Sequence, residues 1–139
     1  MHRDTKSILT LVVLIFPTLV LIDLLWIGVV AQGIYQDQIG YLLSPDIGWV
    51  PAILFYLLYS IAIAYFIVLP AIRTGGPLQA LYRGLSFGLV AYATYDLTNL
   101  ATIKDWPLAI TLIDILYGMI VTGIASAMAY MLGKGLVSK

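Results

Sequence analysis

Long apolar runs separated by short polar segments dominate the pattern of this chain. Four of the runs reach the ~20 residues that a helix needs to cross a bilayer. They lie at about residues 8–31, 49–71, 78–102 and 106–132. Because short connections join helices that run in opposite directions, the pattern predicts an all-α membrane protein. Its fold would be an antiparallel bundle of four transmembrane helices, in a single domain that spans residues 1–139.

The connections between the runs differ in length and character. Residues 73–77 form a tight turn rich in Gly and Pro, and residues 103–105 form an even shorter one. Asp105 is predicted to cap the fourth span, with Pro107 in its first turn. Residues 32–48 are longer and mixed in polarity, and their apolar positions fall on roughly one helical face. These positions, which predict a short interfacial segment between spans one and two, are Ile34, Ile39, Leu42 and Leu43.

Basic residues gather on one side of the predicted bundle. Six lie near the two termini or the second connection, whereas the other side has only Lys104. The six are Arg3, Lys6, Arg73, Arg83, Lys134 and Lys139. Since short cytoplasmic loops carry an excess of Lys and Arg, both termini are predicted to be cytoplasmic. Trp49 and Trp106 start the second and fourth spans on the outer side, where an aromatic belt is expected.

The composition excludes several classes of function. The 139 residues are 62% hydrophobic and 10% charged, against roughly 25% charged in a soluble domain. The formal net charge is zero, so no nucleic-acid partner is expected. The chain has no Cys, which excludes disulfides and thiolate chemistry. With His2 as the only histidine, ordinary zinc and haem sites are not expected, and no cofactor can be named.

Three aspartates inside the apolar runs are the most informative feature. Asp23, Asp96 and Asp114 have no basic residue within a helical turn of them along the chain. An ionisable group in hydrocarbon costs ~2.5–3.5 kcal/mol on insertion scales, so such residues mark functional sites by default. At 1.5 Å per residue, all three lie ~8–12 Å from the outer ends of their spans. Tyr56 and Tyr59 lie at about the same depth in the second span, so the sequence predicts a polar pocket at that level.

The pocket is predicted from helical spacing around these aspartates. Tyr92 and Asn99 share a face with Asp96, since their spacings are four and three residues. The predicted site, for a ligand, a proton or a cation, comprises Asp23, Asp96, Asp114, Asn99, Tyr92, Tyr95, Tyr117, Tyr56, Tyr59 and Trp26. Asp23, Asp96, Asp114 and Asn99 could jointly offer oxygens to a hard cation. No metal site is otherwise predicted.

Each of these features also has a purely structural interpretation. The aspartates would then be neutral and would join the helices through hydrogen bonds to Tyr, Asn and Thr. The tyrosines would supply packing area, and Gly84 and Gly88 would let a neighbouring helix approach, either within the chain or in a dimer.

The sequence also contains a short internal repeat, since residues 21–26 (LIDLLW) are similar to residues 112–117 (LIDILY). The two helices run in opposite directions, so the repeat indicates, weakly, inverted-topology halves of the kind that transporters use.

Four stretches resemble a known family. They are residues 23–28 (DLLWIG), 55–59 (FYLLY), 91–102 (AYATYDLTNLAT) and 104–107 (KDWP), and Asp114 adds to the likeness. Nearly the whole chain is similar to the bacterial predicted membrane proteins classed as domain of unknown function 2177. The resemblance implies a small multi-pass protein of the bacterial inner membrane. It implies no activity, cofactor or catalytic residue.

Three functions remain open from the sequence. The leading prediction is a pocket that binds a small polar or amphiphilic ligand, a cation or a proton. Transport is one function of such a pocket, and it would need a homodimer because four helices are few for a transport path. The second is an intramembrane enzyme that acts on lipid, with an Asp pair as acid and base. The third is a non-catalytic membrane scaffold in which the aspartates only hold the helices together. Membrane lipids are expected partners in all three.

Overall fold

The structure, a computed structural model, describes residues 2–137, and the regular elements in this part of the chain are all helices. The helices are α1 (His2–Leu25), α2 (Gln32–Ile39), α3 (Trp49–Ile63), α4 (Leu69–Thr74), α5 (Pro77–Thr102) and α6 (Leu108–Gly133). Five-residue π-helical segments extend α1 over Trp26–Val30 and join α3 to α4 over Ala64–Val68. The described residues contain no strand, which confirms the all-α prediction.

Three helical stretches are long and apolar enough to cross a membrane. They are Arg3–Val30, Trp49–Thr74 and Leu108–Gly133. Helix α5 also has 26 residues, but it carries more polar side chains and is less apolar than the other three stretches. Arg83 is one of these polar side chains and lies inside α5. Of the basic residues in the predicted charge asymmetry, Lys139 lies outside the described residues.

Helices α5 and α6 pack along their whole length, in antiparallel directions. Gly84 lies against Thr122, whereas Gly88 lies against Gly118, so positions rise along α5 as they fall along α6. A Cβ on Gly84 would lie 2.7 Å from the carbonyl oxygen of Thr122 and 2.6 Å from the Ser126 hydroxyl. This pair of glycines therefore serves packing within the chain, because only glycine permits so close an approach.

Helices α1, α3 and α6 enclose the main apolar core. Leu11 and Ile15 of α1, Ile63 of α3 and Val121 of α6 are almost completely buried in it. Arg73 and Asp4 form an ion pair at the end of the bundle where the described part of the chain begins and ends, called here the termini end. The opposite end, which carries α2 and the turn between α5 and α6, is called the α2 end.

The segment between the first two long helices forms a helix, as predicted. Of the four apolar residues expected on one face, Ile39 is buried against Trp106 and Ile110, whereas Ile34, Leu42 and Leu43 are exposed on the outside of the bundle. Trp106 is only 8% exposed and donates a hydrogen bond to Thr111 Oγ1 at 3.1 Å. It is thus a core residue rather than part of an aromatic belt, while Trp49 is 66% exposed.

The predicted cap of the last helix is wrong. Asp105 adopts a left-handed backbone conformation with φ of 60°, which Asp tolerates better than most residues. Pro107 precedes α6, and no side chain caps its first turn. The turn is stabilised instead by Tyr41, which donates a hydrogen bond to the Asp105 carbonyl at 3.0 Å.

We expect Gly88→Ala to destabilise the bundle by about 1–3 kcal/mol, because overpacking forces helices apart. The added methyl group would overlap the Gly118 carbonyl and lie 2.7 Å from Thr122 Oγ1. Gly28→Ala is the matched control, since a Cβ at Gly28 meets nothing within 4 Å. Thermal unfolding in detergent measures both, and equal melting temperatures for the two variants would contradict this packing.

Candidate functional site

Asp23 of α1 is held by phenols from two other helices. Tyr56 of α3 donates to Asp23 Oδ2 at 2.8 Å, and Tyr117 of α6 donates to Asp23 Oδ1. The carboxyl is 7% exposed, so it draws α1, α3 and α6 together at one level of the bundle. A carboxylate has about four lone-pair positions, so two phenols leave room for a further partner.

Asp114 of α6 is held from outside the long helices. Tyr35 of α2 donates its hydroxyl proton to Asp114 Oδ1 and accepts a hydrogen bond of 3.2 Å from Trp26 Nε1. Burial, and next the hydrogen bond to Asp114, raises the pKa of Tyr35 above its ordinary value. The phenol therefore keeps its proton and remains a donor. Helix α2 is anchored over the α2 end by this contact.

A ring stack joins the two carboxyl groups into one network. The indole of Trp26 lies on the ring of Tyr117, with centroids 4.6 Å apart and planes at 9°. Trp26 thus donates a hydrogen bond to Tyr35, which in turn donates to Asp114, whereas Tyr117 of the opposite helix donates to Asp23. The π-helical segment begins at Trp26, and such wide turns often lie at functional sites. Trp26 and Tyr117 are the last residues of the LIDLLW and LIDILY echo, so the two echoing stretches meet through this ring stack in antiparallel helices.

Asp96 of α5 is the most deeply buried of the three aspartates, with 0% exposure. Neither of its carboxyl oxygens receives a hydrogen bond from any described residue. The polar group beside it is the carboxyl of Asp114. Two carboxyls can face each other in an apolar environment when a proton lies between them. Asp96 is therefore a buried carboxyl group beside Asp114 to which the described residues donate no hydrogen bond.

A cleft opens beside Asp23, between α1, α3 and α5. Its volume is about 510 Å³. Helix α5 contacts the π-helical segment Ala64–Val68, whereas it meets α3 through ring contacts of Tyr59 with Phe87 and Tyr92 rather than by close backbone packing. The two helices therefore diverge toward the α2 end and leave the cleft open at the side of the bundle. Its lining residues are Asp23, Ile27, Phe55, Tyr56, Tyr59, Ala91, Tyr92 and Tyr95.

The other residues of the predicted site have separate positions. Tyr59 bonds Thr122 Oγ1 at 2.8 Å rather than an aspartate. The ring of Tyr92 packs over Gly118 and edge-on against Tyr117. Tyr95 is 59% exposed at the cleft. Asn99 is half-buried, and its side chain forms none of the hydrogen bonds to the aspartates among the described residues.

A metal site receives no support from the geometry. Within residues 2–137, no group of three or more Asp, Glu, His or Cys side chains could hold a metal ion. Asp96 and Asp114 form a pair, and Asp23 lies apart with its two phenols. The joint coordination of a hard cation by Asp23, Asp96, Asp114 and Asn99 is therefore not a feature of this arrangement.

Sequence reasoning missed two members of the network, Tyr35 and Thr122. Tyr35 lies in the only connection long enough to fold back over the bundle, and a buried phenol usually needs a partner. That signal was available in the sequence, although nothing there identified Asp114 as the partner. Thr122 lies four residues after Gly118 and donates to its carbonyl at 2.6 Å. Its hydroxyl can then accept the hydrogen bond of Tyr59.

We expect Tyr117→Phe to lower the free energy of unfolding by about 1–3 kcal/mol, since it leaves Asp23 Oδ1 without its donor. In the Asp23→Asn background the same substitution should cost less, because the two groups interact directly. Tyr82→Phe is the matched control, since Tyr82 is exposed on α5. A double-mutant cycle measured by chemical unfolding gives the coupling energy. A value of zero would contradict the bond.

The comparisons with known proteins agree with the membrane composition. Residues 8–131 match the family described as Predicted membrane protein (DUF2177). No curated protein and no solved structure matches the chain. The family match covers most of the 139 residues and includes all three aspartates and the cleft. The chain therefore belongs to this family of predicted membrane proteins.

Proposed function

We propose that the protein binds a small amphiphilic ligand in the cleft between α1, α3 and α5, with the polar end of the ligand at Asp23. The observation that carries this proposal is a carboxyl group at the wall of an otherwise apolar cleft. Ligand sites typically have volumes of about 300–1,000 Å³ and few polar groups among apolar walls. A cleft of about 510 Å³ lies in this range.

The side opening supports a ligand that comes from the bilayer. Ile27 and Phe55, which line the cleft, are about half exposed on the outside of the bundle. A helix surface of this kind lies against lipid tails when the long helices cross a membrane. An amphiphile could then place its tail along Ile27 and Phe55 while its polar end reaches Asp23.

We further propose that α5 is a fourth crossing and that both termini are cytoplasmic, in a bacterial inner membrane. Helix α5 runs beside α6 along its whole length, so it passes through the same layer as α6 does. The glycine face toward α6 and the polar face toward the cleft explain why it is less apolar. Basic residues remain concentrated at the termini end, as the positive-inside rule requires.

Reporter fusions test this topology. We expect alkaline phosphatase to be inactive when it is fused after Gly75 and active when it is fused after Lys104. Green fluorescent protein at the same two positions should give the opposite pattern. Equal activity of the phosphatase at both positions would contradict a crossing by α5, and a reversed pattern would contradict the orientation.

Photocrosslinking tests the cleft itself. We expect a lysophospholipid with a diazirine in its tail to label the peptides that contain Phe55 and Ala91, and unlabelled lysophospholipid to compete. Ala91→Trp should abolish the competed fraction because the indole fills the cleft. Leu97→Trp is the matched control on the exposed face of the same helix. Labelling that neither competitor nor Ala91→Trp reduces would contradict a ligand site in the cleft.

A second candidate function is favoured by the Asp96–Asp114 pair. Two carboxyls that share a proton can act as acid and base in one site, which would suit an enzyme that modifies lipid. For an enzyme of this kind, deletion of the gene would change the membrane lipid profile. Expression of the Asp96→Asn variant in the deletion strain would not restore the profile.

Transport by a homodimer remains a prediction that the cleft alone does not require. A scaffold would keep its function with all three aspartates replaced by asparagine.

A further inference from the structure

The walls of the cleft carry one kind of charge. Asp23 has the only carboxyl group among its lining residues, and no Lys, Arg or His belongs to them. Among the described residues, Asp23 forms no ion pair. A carboxylate without a basic partner in an apolar environment is neutralised either by a proton or by a cation. The cleft lacks any group of its own that could balance the charge of an anionic ligand.

Aromatic rings form most of the remaining wall. Phe55 lies nearly parallel to Tyr59 with centroids 5.5 Å apart, and Tyr56 and Tyr92 flank them. Tyr95 adds a fifth ring at the exposed edge. The faces of such rings are electronegative, and clusters of them recognise quaternary ammonium groups. A carboxylate and several rings on one cleft are complementary to the same class of ligand.

The phenols at Asp23 do not compete with this role. Tyr56 and Tyr117 each donate one hydrogen bond to the carboxyl, so its remaining lone pairs are free for a third group. A quaternary ammonium needs no hydrogen bond and can approach by charge alone. An uncharged polar head would gain neither the charge attraction nor much from the rings.

We infer that the ligand head group is an organic ammonium, carried on an apolar tail that lies in the side opening of the cleft. This inference rests on the proposed binding function and specifies its ligand class. Titratable groups face Asp23 from each neighbouring helix: Tyr56 and Tyr59 from α3, Tyr92 from α5 and Tyr117 from α6. None of these is basic. Protons therefore compete with the ammonium for Asp23, and acidification weakens binding.

Three probes with the same octyl tail separate the head-group classes. They are octyltrimethylammonium, octyl sulfate and octyl diethylene glycol ether. Calorimetric titration is made into the full-length protein in uncharged maltoside micelles, with empty micelles as the blank. We expect the ammonium to bind roughly tenfold or more tightly than the ether, since a charge pair of this kind is strong at low dielectric. We expect no saturable binding of the sulfate.

Asp23→Asn should reduce the ammonium affinity to that of the ether, and Asp46→Asn should leave it unchanged. Asp46 is the matched control because it lies exposed in the connection before α3. Acidification far enough to protonate Asp23 should weaken ammonium binding to the native protein and leave the ether unaffected. Equal binding of all three probes overturns the ammonium inference and leaves the amphiphile site standing. Binding of none overturns both.

Tyr95→Leu keeps the test decisive if Asp23→Asn fails to fold, because Tyr95 lies at the exposed edge of the cleft. We expect this variant to bind the ammonium about two- to fivefold more weakly, as loss of one partly exposed cation–π contact predicts. Its affinity for the ether should change by less. A loss that is equal for both probes, or no loss at all, contradicts recognition of the ammonium by the rings.

Discussion

A carboxyl group inside an apolar bundle requires a hydrogen-bond donor, a proton or a cation, and this requirement organises the α2 end of the protein. Asp23 receives phenols from α3 and α6, Asp114 receives the phenol of α2, and Asp96 lies beside Asp114. Each contact crosses between helices, so the polar groups determine how the helices meet at this level. At the termini end, where no such groups are buried, apolar packing and one exposed ion pair suffice.

The two ends of the bundle also differ in how close their helices come. Glycines at positions 84, 88, 118 and 123 bring α5 and α6 into backbone contact, which leaves α5 without an equally close partner on its other side. Helix α3 meets α1 and the π-helical segment that follows it, and it reaches α5 through side-chain contacts of Tyr59 rather than by close backbone packing. The cleft is thus a direct result of the tight α5–α6 pair, and Asp23 lies on its wall because α1 packs against both α3 and α6.

Much of this fold could be predicted from the sequence, because helix length and depth follow from simple arithmetic. The apolar runs gave the long helices to within a few residues, except at the start of α1, which begins at His2. Depth along each run placed the three aspartates at one level. The same arithmetic does not identify which side chains form hydrogen bonds with each other. Tyr56 and Tyr59 lie on neighbouring positions of one face, yet only Tyr56 reaches Asp23. The spacing in residues 32–48 likewise did not reveal that Tyr35 and Ile39 hold α2 to the bundle.

The sideways opening of the cleft changes what concentration means for this protein. A molecule that enters from between lipid tails is governed by its abundance in one leaflet rather than by its level in the surrounding water. Even a sparingly soluble compound, enriched many-fold by partition, would then saturate a site of modest intrinsic affinity. For the same reason, extraction into surfactant would dilute the natural occupant and offer substitutes in excess. The natural ligand is best sought in protein that is isolated together with the native lipids around it.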